Sequence, residues 1–181
     1  MRERLTFITS NPTKAEQLGL HLGVNVDHHA VDLAEIQSLN LAEVIEHKAR
    51  EAFEFVGRPV LVEDTALVFN ALGNLPGPLI KWFFQEIGTE GLCRLLDSYD
   101  DRSAKAMVLF GYYDGDELKT YLGEMDGAIA DTPRGDSGFP SDTIFIPKGY
   151  DKTWAEMTAE EQSATSIRRM ALKKLEADLQ S

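Results

Sequence analysis

The chain has a single cysteine, which excludes an internal disulfide. Cys93, close to Leu92 and Leu95 in a helical pattern, also offers no metal-site spacing, so it reads as a small buried hydrophobe. The four histidines, at 21, 28, 29 and 47, show no zinc-type spacing. Long apolar runs are missing too. Stretches such as Ala66 to Leu72 are far short of a bilayer span, and Met1-Arg-Glu-Arg leads straight into a strand pattern instead of an apolar leader, so a cytoplasmic location is expected. Basic residues are scarce: 18 Lys and Arg against 30 Asp and Glu give a net charge of −12. That balance argues against wrapping a nucleic-acid polymer, which needs a basic face to displace counterions. A Gly-rich phosphate loop ending in Gly-Lys-Ser/Thr is absent, and no Ser/His/Asp or Cys/His arrangement stands out. With no low-complexity stretch and no internal repeat, residues 1–181 read as one domain.

What is present alternates between strand and helix patterns. Arg4 to Thr9 reads as a strand, Ser10 to Lys14 as a polar turn, and Pro12 suits the first position of a helix ending near Leu22. A short strand is expected around Val24 to His28. Asn40-Leu-Ala-Glu43 has capping-box-like spacing before a helix reaching Phe55 or Val56. Pro59 to Glu63 is a continuous apolar strand of the kind covered on both faces. Pro76-Gly-Pro78 breaks the chain before helices at about Leu79–Ile87 and Thr89–Leu96, joined at Gly88. Asp114-Gly-Asp116 between apolar runs marks a hairpin of Ala104–Tyr113 and Leu118–Asp126. Thr143 to Pro147 is a further short strand, and Thr158 opens a terminal helix running to about Leu179. The fold class is α/β, a mixed sheet with flanking helices and a central cleft.

Glu63 and Asp64 directly follow Val60-Leu-Val62, at the expected carboxyl end of the strand, where open α/β sheets place their ligand crevices. Adjacent carboxylates project in different directions, so one can ligate a hard cation while the other holds or deprotonates water; alternatively they cap a following helix or are simply solvated. Lys48 falls beside the apolar stripe Leu41, Val44, Ile45, Ala49, Ala52 and Phe53, where a lysine either snorkels to water or meets a fixed anion. Lys81, inside Leu79-Ile-Lys-Trp-Phe-Phe84, poses the same question. Thr9, Asn11 and Lys14 stand where free backbone N–H groups begin a helix, a pattern that serves a phosphate or an ordinary cap. Glu35, in the loop before the Lys48 helix, is a further metal-side oxygen if that loop folds over the cleft. Arg168 shares a helical stripe with Leu172, Leu175 and Leu179, reaching either the cleft or a surface acid.

Four segments, Phe7-Ile-Thr-Ser-Asn-Pro-Thr-Lys14, Val60-Leu-Val-Glu-Asp-Thr65, Phe69 to Phe83 and Gly149 to Met157, together resemble the inosine triphosphate pyrophosphatase family across nearly the whole chain. The resemblance implies an elongated mixed α/β fold of two lobes around an active cleft, usually a homodimer. It also implies Mg²⁺-dependent hydrolysis of a nucleoside triphosphate, such as ITP, dITP or XTP, to monophosphate and pyrophosphate, with Mn²⁺ a possible substitute. By motif position Thr9, Asn11 and Lys14 would hold phosphates, Lys48 and Lys81 would complete the anionic pocket, and Asp64 would activate water. Glu35 and Glu63 would join Asp64 as metal-side acids.

Phe139, Asp142, Ser166 and Arg168 match the base-recognition half, which departs from the family elsewhere. Gly138-Phe-Pro-Ser-Asp-Thr143 has Ser141 in place of a second aromatic, Ile167 stands where a histidine is usual, and Gln162 where a lysine is usual. The alternative is therefore a nucleotide-binding or sensing relative with changed base specificity and little hydrolysis. An acidic protein-interaction domain without a small ligand is a third reading, and it leaves the apolar-embedded lysines unexplained.

Overall fold

Val60-Leu-Val62, fully buried, begins a strand longer than its apolar run predicts. In the computed structural model, which describes every residue except 1–4, 10, 11, 24, 32, 137 and 181 and only the backbone at 12, 13 and 17, this strand spans Val60–Phe69. The elements in chain order are β1 (Leu5–Ile8), α1 (Pro12–Leu22), β2 (Val26–His29), α2 (Leu41–Val56), β3 (Val60–Phe69) and β4 (Pro76–Gly77). They continue as α3 (Ile80–Arg94), β5 (Ser103–Tyr113), β6 (Leu118–Ile129), β7 (Phe145–Pro147), α4 (Ala159–Thr165) and α5 (Ile167–Leu179). The strands form one seven-stranded mixed sheet in the order β2-β1-β3-β5-β6-β7, with β4 also paired to β3.

The length of β3 comes from its neighbour. Along one edge it pairs antiparallel with β5 over all ten residues, from Val60↔Tyr113 to Phe69↔Ala104. That ladder carries the polar Glu63, Asp64 and Thr65 as strand, so the two acids lie within β3 and do not end it as the sequence suggests. The other edge is shared: β1 pairs in parallel with Val60 and Leu61, and β4 antiparallel with Leu67 and Val68. Between those two partners, at residues 62–66, this edge of β3 has no ladder among the described residues. The gap opens where β1 ends at Ile8.

Helices cover both faces. Asn40 caps α2, accepting from the Ala42 N–H, and the helix buries Leu41, Val44, Ile45, Ala49 and Ala52 against Val60, Val62 and Ala66. On the opposite face α1 and α5 bury Ala15, Leu18, Ala171, Leu172 and Leu175 against Phe7, Leu61 and Phe110. A third cluster fills the far end of β3 and β5 with α3, Phe145 and Trp154. Since side chains alternate along a strand, Val62 and Asp64 face α2, whereas Leu61 and Glu63 face α1 and α5.

Two breaks in the helices matter for the site. Gly88 (φ 66°, ψ −176°) interrupts α3, in agreement with the expected division there, because its backbone lies in a region that side chains disfavour. The expected single terminal helix is instead two, α4 and α5. Ser166 adopts extended geometry (φ −66°, ψ 109°) and its hydroxyl accepts from the Arg169 N–H, so its capping tendency overrides the helical pattern. Gly123 of β6 lets α5 approach closely, since a Cβ there would lie 1.8 Å from the Ile167 carbonyl oxygen.

Candidate active site

A cleft of about 640 Å³ lies beside the gap in the β3 edge. It brings together Thr9, Lys14, Glu35, Lys48, Glu63, Asp64 and Lys81, which come from five separate parts of the chain. Asn11 lies outside the described residues. Thr65 and Trp82 also line the cleft. The sequence assigns neither a site role: Thr65 stands where a helix capped by the two acids would begin, and Trp82 sits in the apolar run around Lys81. Its 52% exposure is the signal, available only from structure.

Each acid in the cleft is matched to a lysine. Lys14 Nζ lies 2.6 Å from Glu63 Oε1, Lys48 Nζ 3.5 Å from Asp64 Oδ1, and Lys81 Nζ 3.1 Å from Glu35 Oε2. Lys48 also donates to the Glu63 carbonyl oxygen at 3.1 Å, a backbone group on the edge that β1 and β4 leave open. It therefore meets a fixed anion rather than snorkelling to open water. Lys81 is more exposed, with its ammonium 5.5 Å from the centre of the Trp82 ring.

The two adjacent carboxylates occupy different surroundings. Burial pushes the Asp64 carboxyl above its ordinary range; Lys48 opposes that shift and the Glu35 charge adds to it. Glu63 is only 7% exposed and has a second cation, Arg168, whose Nη2 lies 2.5 Å from Oε2 and whose Nη1 donates to Oε1 at 3.2 Å. The Arg168 guanidinium in turn sits 5.4 Å from the centre of the Phe110 ring. Arg168 is not itself among the cleft-lining residues, but it pairs with Glu63, which is, and not with a surface acid.

Phe139, Asp142 and Ser166 stand outside the cleft lining. Phe139 is 52% exposed, with Lys14 Nζ 5.5 Å from its ring centre. Asp142 accepts the Phe139 N–H at 2.8 Å, and its burial raises its carboxyl above the ordinary value. Ser166 starts α5 and so sets the course of the helix bearing Arg168. Gln162 donates its side-chain amide to the Trp154 carbonyl at 2.8 Å, and Ile167 packs against buried core.

Among the described residues no three His, Cys, Asp or Glu side chains gather tightly enough to hold a metal by themselves. Glu35 and Asp64 interact electrostatically and both line the cleft. Hard carboxylate oxygens in small number fit Mg²⁺, which is held by one or two carboxylates together with water and substrate phosphates.

The Ham1 family profile matches residues 5–178. The chain belongs to the Ham1 family. This Ham1 chain is 43% identical over 178 residues to inosine triphosphate pyrophosphatase 2 of Trypanosoma cruzi, covering 96% of the chain and 91% of that relative. It is 39% identical to the dITP/XTP pyrophosphatase of Methanopyrus kandleri, over 94% of the chain and 93% of the relative. Among solved structures, the Staphylococcus aureus Ham1 protein superposes with a TM-score of 0.86 at 26% identity, covering 98% of both chains. The Ham1 fold accounts for the mixed sheet and flanking helices expected from the sequence. No helix of the described residues is long and apolar enough to cross a membrane.

Proposed function

We propose that this Ham1 chain is a nucleoside-triphosphate pyrophosphatase acting on a non-canonical purine nucleotide such as ITP, dITP or XTP, releasing the monophosphate and pyrophosphate. The observation that carries the reading is the interleaving of three acids with three lysines at the gap in the β3 edge, in a chain whose relatives are named for this activity. Lysines clamp a polyphosphate; carboxylates serve a metal and a water.

Asp64 is the residue assigned to orient and deprotonate the attacking water, because its buried carboxylate holds a proton more readily than an ordinary aspartate. Lys48, hydrogen-bonded to the strand edge beside it, fixes that carboxylate and carries positive charge to the developing phosphate anion. Lys14 and Lys81 neutralise the remaining phosphates, joined by Thr9 and by Asn11, which precede α1 in the sequence. Glu35 and Asp64 would hold Mg²⁺ or Mn²⁺, which supplies Lewis-acid polarisation of the phosphate oxygens when bound. Phe139 offers a ring face for the base, held by Asp142, and Ser166 orients the helix of Arg168. The water oxygen bonds to phosphorus at the α–β anhydride, its proton passes to Asp64, and the anhydride P–O bond breaks with its electron pair departing on the bridging oxygen, which separates monophosphate from pyrophosphate.

The same proposal takes the nucleotide as partner, with neither nucleic-acid polymer nor membrane, and a cytoplasmic homodimer as the working form; sedimentation of the purified chain checks the oligomeric state. Pyrophosphate release from a panel of canonical and deaminated triphosphates with Mg²⁺ or Mn²⁺ tests the activity, and silence across the panel overturns it. A second reading, a nucleotide-binding relative with altered base specificity, draws on Gln162 and Ile167, whose side chains are engaged by the protein itself. Tight binding without pyrophosphate release would favour it.

A further inference from the structure

Glu63 stands beside Asp64 in sequence yet faces the other side of the sheet. Asp64 projects toward α2 and Lys48, and Glu63 toward α1 and α5. Both Glu63 oxygens meet a cation within 2.6 Å, Oε1 with Lys14 and Oε2 with Arg168. A Mg²⁺ ion bound at its usual distance of about 2.1 Å from either oxygen would be pressed against an ammonium or a guanidinium, in surroundings where screening is weak. Glu35 and Asp64 each have a single lysine partner, and Glu35 is much more exposed.

We infer that Glu63 is a positioning residue and not a metal ligand, a buried counter-ion that fixes Lys14 and Arg168 for the nucleotide. The inference rests on the pyrophosphatase reading and divides its acids by role. The cluster links three elements: Lys14 from α1, Glu63 from β3 and Arg168 from α5. Phe110 backs the guanidinium on one side, and Lys14 presents its ammonium to the Phe139 ring on the other. One carboxylate between two cations leaves one surplus positive charge at the cleft wall. Without Glu63 the cations repel each other and Lys14 loses its anchor. A nucleotide phosphate then meets a lysine that must be ordered on binding.

The test compares wild type with Glu63→Gln, Glu35→Gln, Arg168→Gln and the Glu63→Gln/Arg168→Gln double variant. Mn²⁺ binding is followed by electron paramagnetic resonance at saturating non-hydrolysable inosine triphosphate analogue, alongside kcat and KM. Glu63→Gln is expected to raise KM about tenfold while Mn²⁺ affinity and kcat stay within about twofold of wild type; Glu35→Gln weakens Mn²⁺ about tenfold or more. The double variant should lose less than the product of the two single effects, because both act through one cluster. If the uncompensated guanidinium unfolds Glu63→Gln, the double variant, which removes both charges, carries the metal measurement. Mn²⁺ binding weakened as much by loss of Glu63 as by loss of Glu35 overturns the inference alone. A wild-type protein that binds neither analogue nor Mn²⁺ overturns the activity, and this inference with it.

Discussion

Lys48 Nζ lies 3.1 Å from the carbonyl oxygen of Glu63 and 3.5 Å from Oδ1 of Asp64, so one ammonium ties the open edge of β3 to the carboxylate beside it. Lys48→Met keeps the length of the side chain and removes the charge. Turnover should fall about 10²-fold or more, as when a preorganised electrostatic contact is lost, while circular dichroism stays that of the wild type. A variant with unchanged kcat would remove Lys48 from the reaction.

Asp64→Asn should abolish turnover and raise thermal stability at neutral pH. The carboxyl is raised above its ordinary value in the folded protein, chiefly by burial. As pH rises through the ordinary aspartate value of about 3.9, the unfolded chain releases its proton first and the wild type loses stability. Asparagine has no proton to release. The melting temperature of the variant should therefore exceed that of the wild type at pH 7, and the difference should close toward pH 3. A variant less stable than wild type at pH 7 would mean that the Lys48 pairing outweighs the desolvation.

Gly123→Ala probes the seat of α5. Its Cβ would fall 1.8 Å from the Ile167 carbonyl and 2.7 Å from its carbon, both backbone atoms that cannot rotate away. The helix must shift, so a destabilisation of several kcal/mol is expected, at the upper end of single substitutions. Urea unfolding measures it. Any folded fraction should also show weakened substrate binding, because Arg168 moves with the helix.

Phe139→Ala should leave stability nearly unchanged, since the ring is half exposed and its backbone N–H, bound to Asp142, remains. If the ring stacks on the base, KM should rise by the equivalent of about 1–3 kcal/mol. Steady-state kinetics on inosine triphosphate and on inorganic triphosphate separates the two contributions, because the second substrate has no base to lose.

Much of this arrangement can be read from residue order, because local signals are strong where one element decides. Asn40 marks the start of α2, Gly88 divides α3, and Asp114-Gly-Asp116 closes the β5–β6 hairpin, each through a preference of the residue itself. The extension of β3 past Glu63 is different. It is imposed by a partner strand distant in sequence, as Phe69↔Ala104 and Asp64↔Leu109 show, and polar residues in mid-strand give no local hint. The capping box at Thr158 and the apolar spacing of Leu172, Leu175 and Leu179 suggest one continuous helix, and Ser166, whose hydroxyl caps Arg169, divides it. Lysines embedded in apolar stripes point to an anionic site from residue order alone; which acid each one meets depends on the sheet. Arg168 and Glu63, separated by 105 positions, are joined only by tertiary packing.

The unfilled stretch of the β3 edge has a mechanical consequence. Among the described residues, Glu63 and Asp64 stand on a strand whose ladder there runs along one side, opposite Phe110 and Leu109 of β5. β5 thus acts as a splint for the chemistry, although none of its side chains lines the cleft. A slip of one residue between β3 and β5 would turn Glu63 toward Lys48 and Asp64 toward Arg168, exchanging the two carboxylates' faces while leaving every functional residue in the chain.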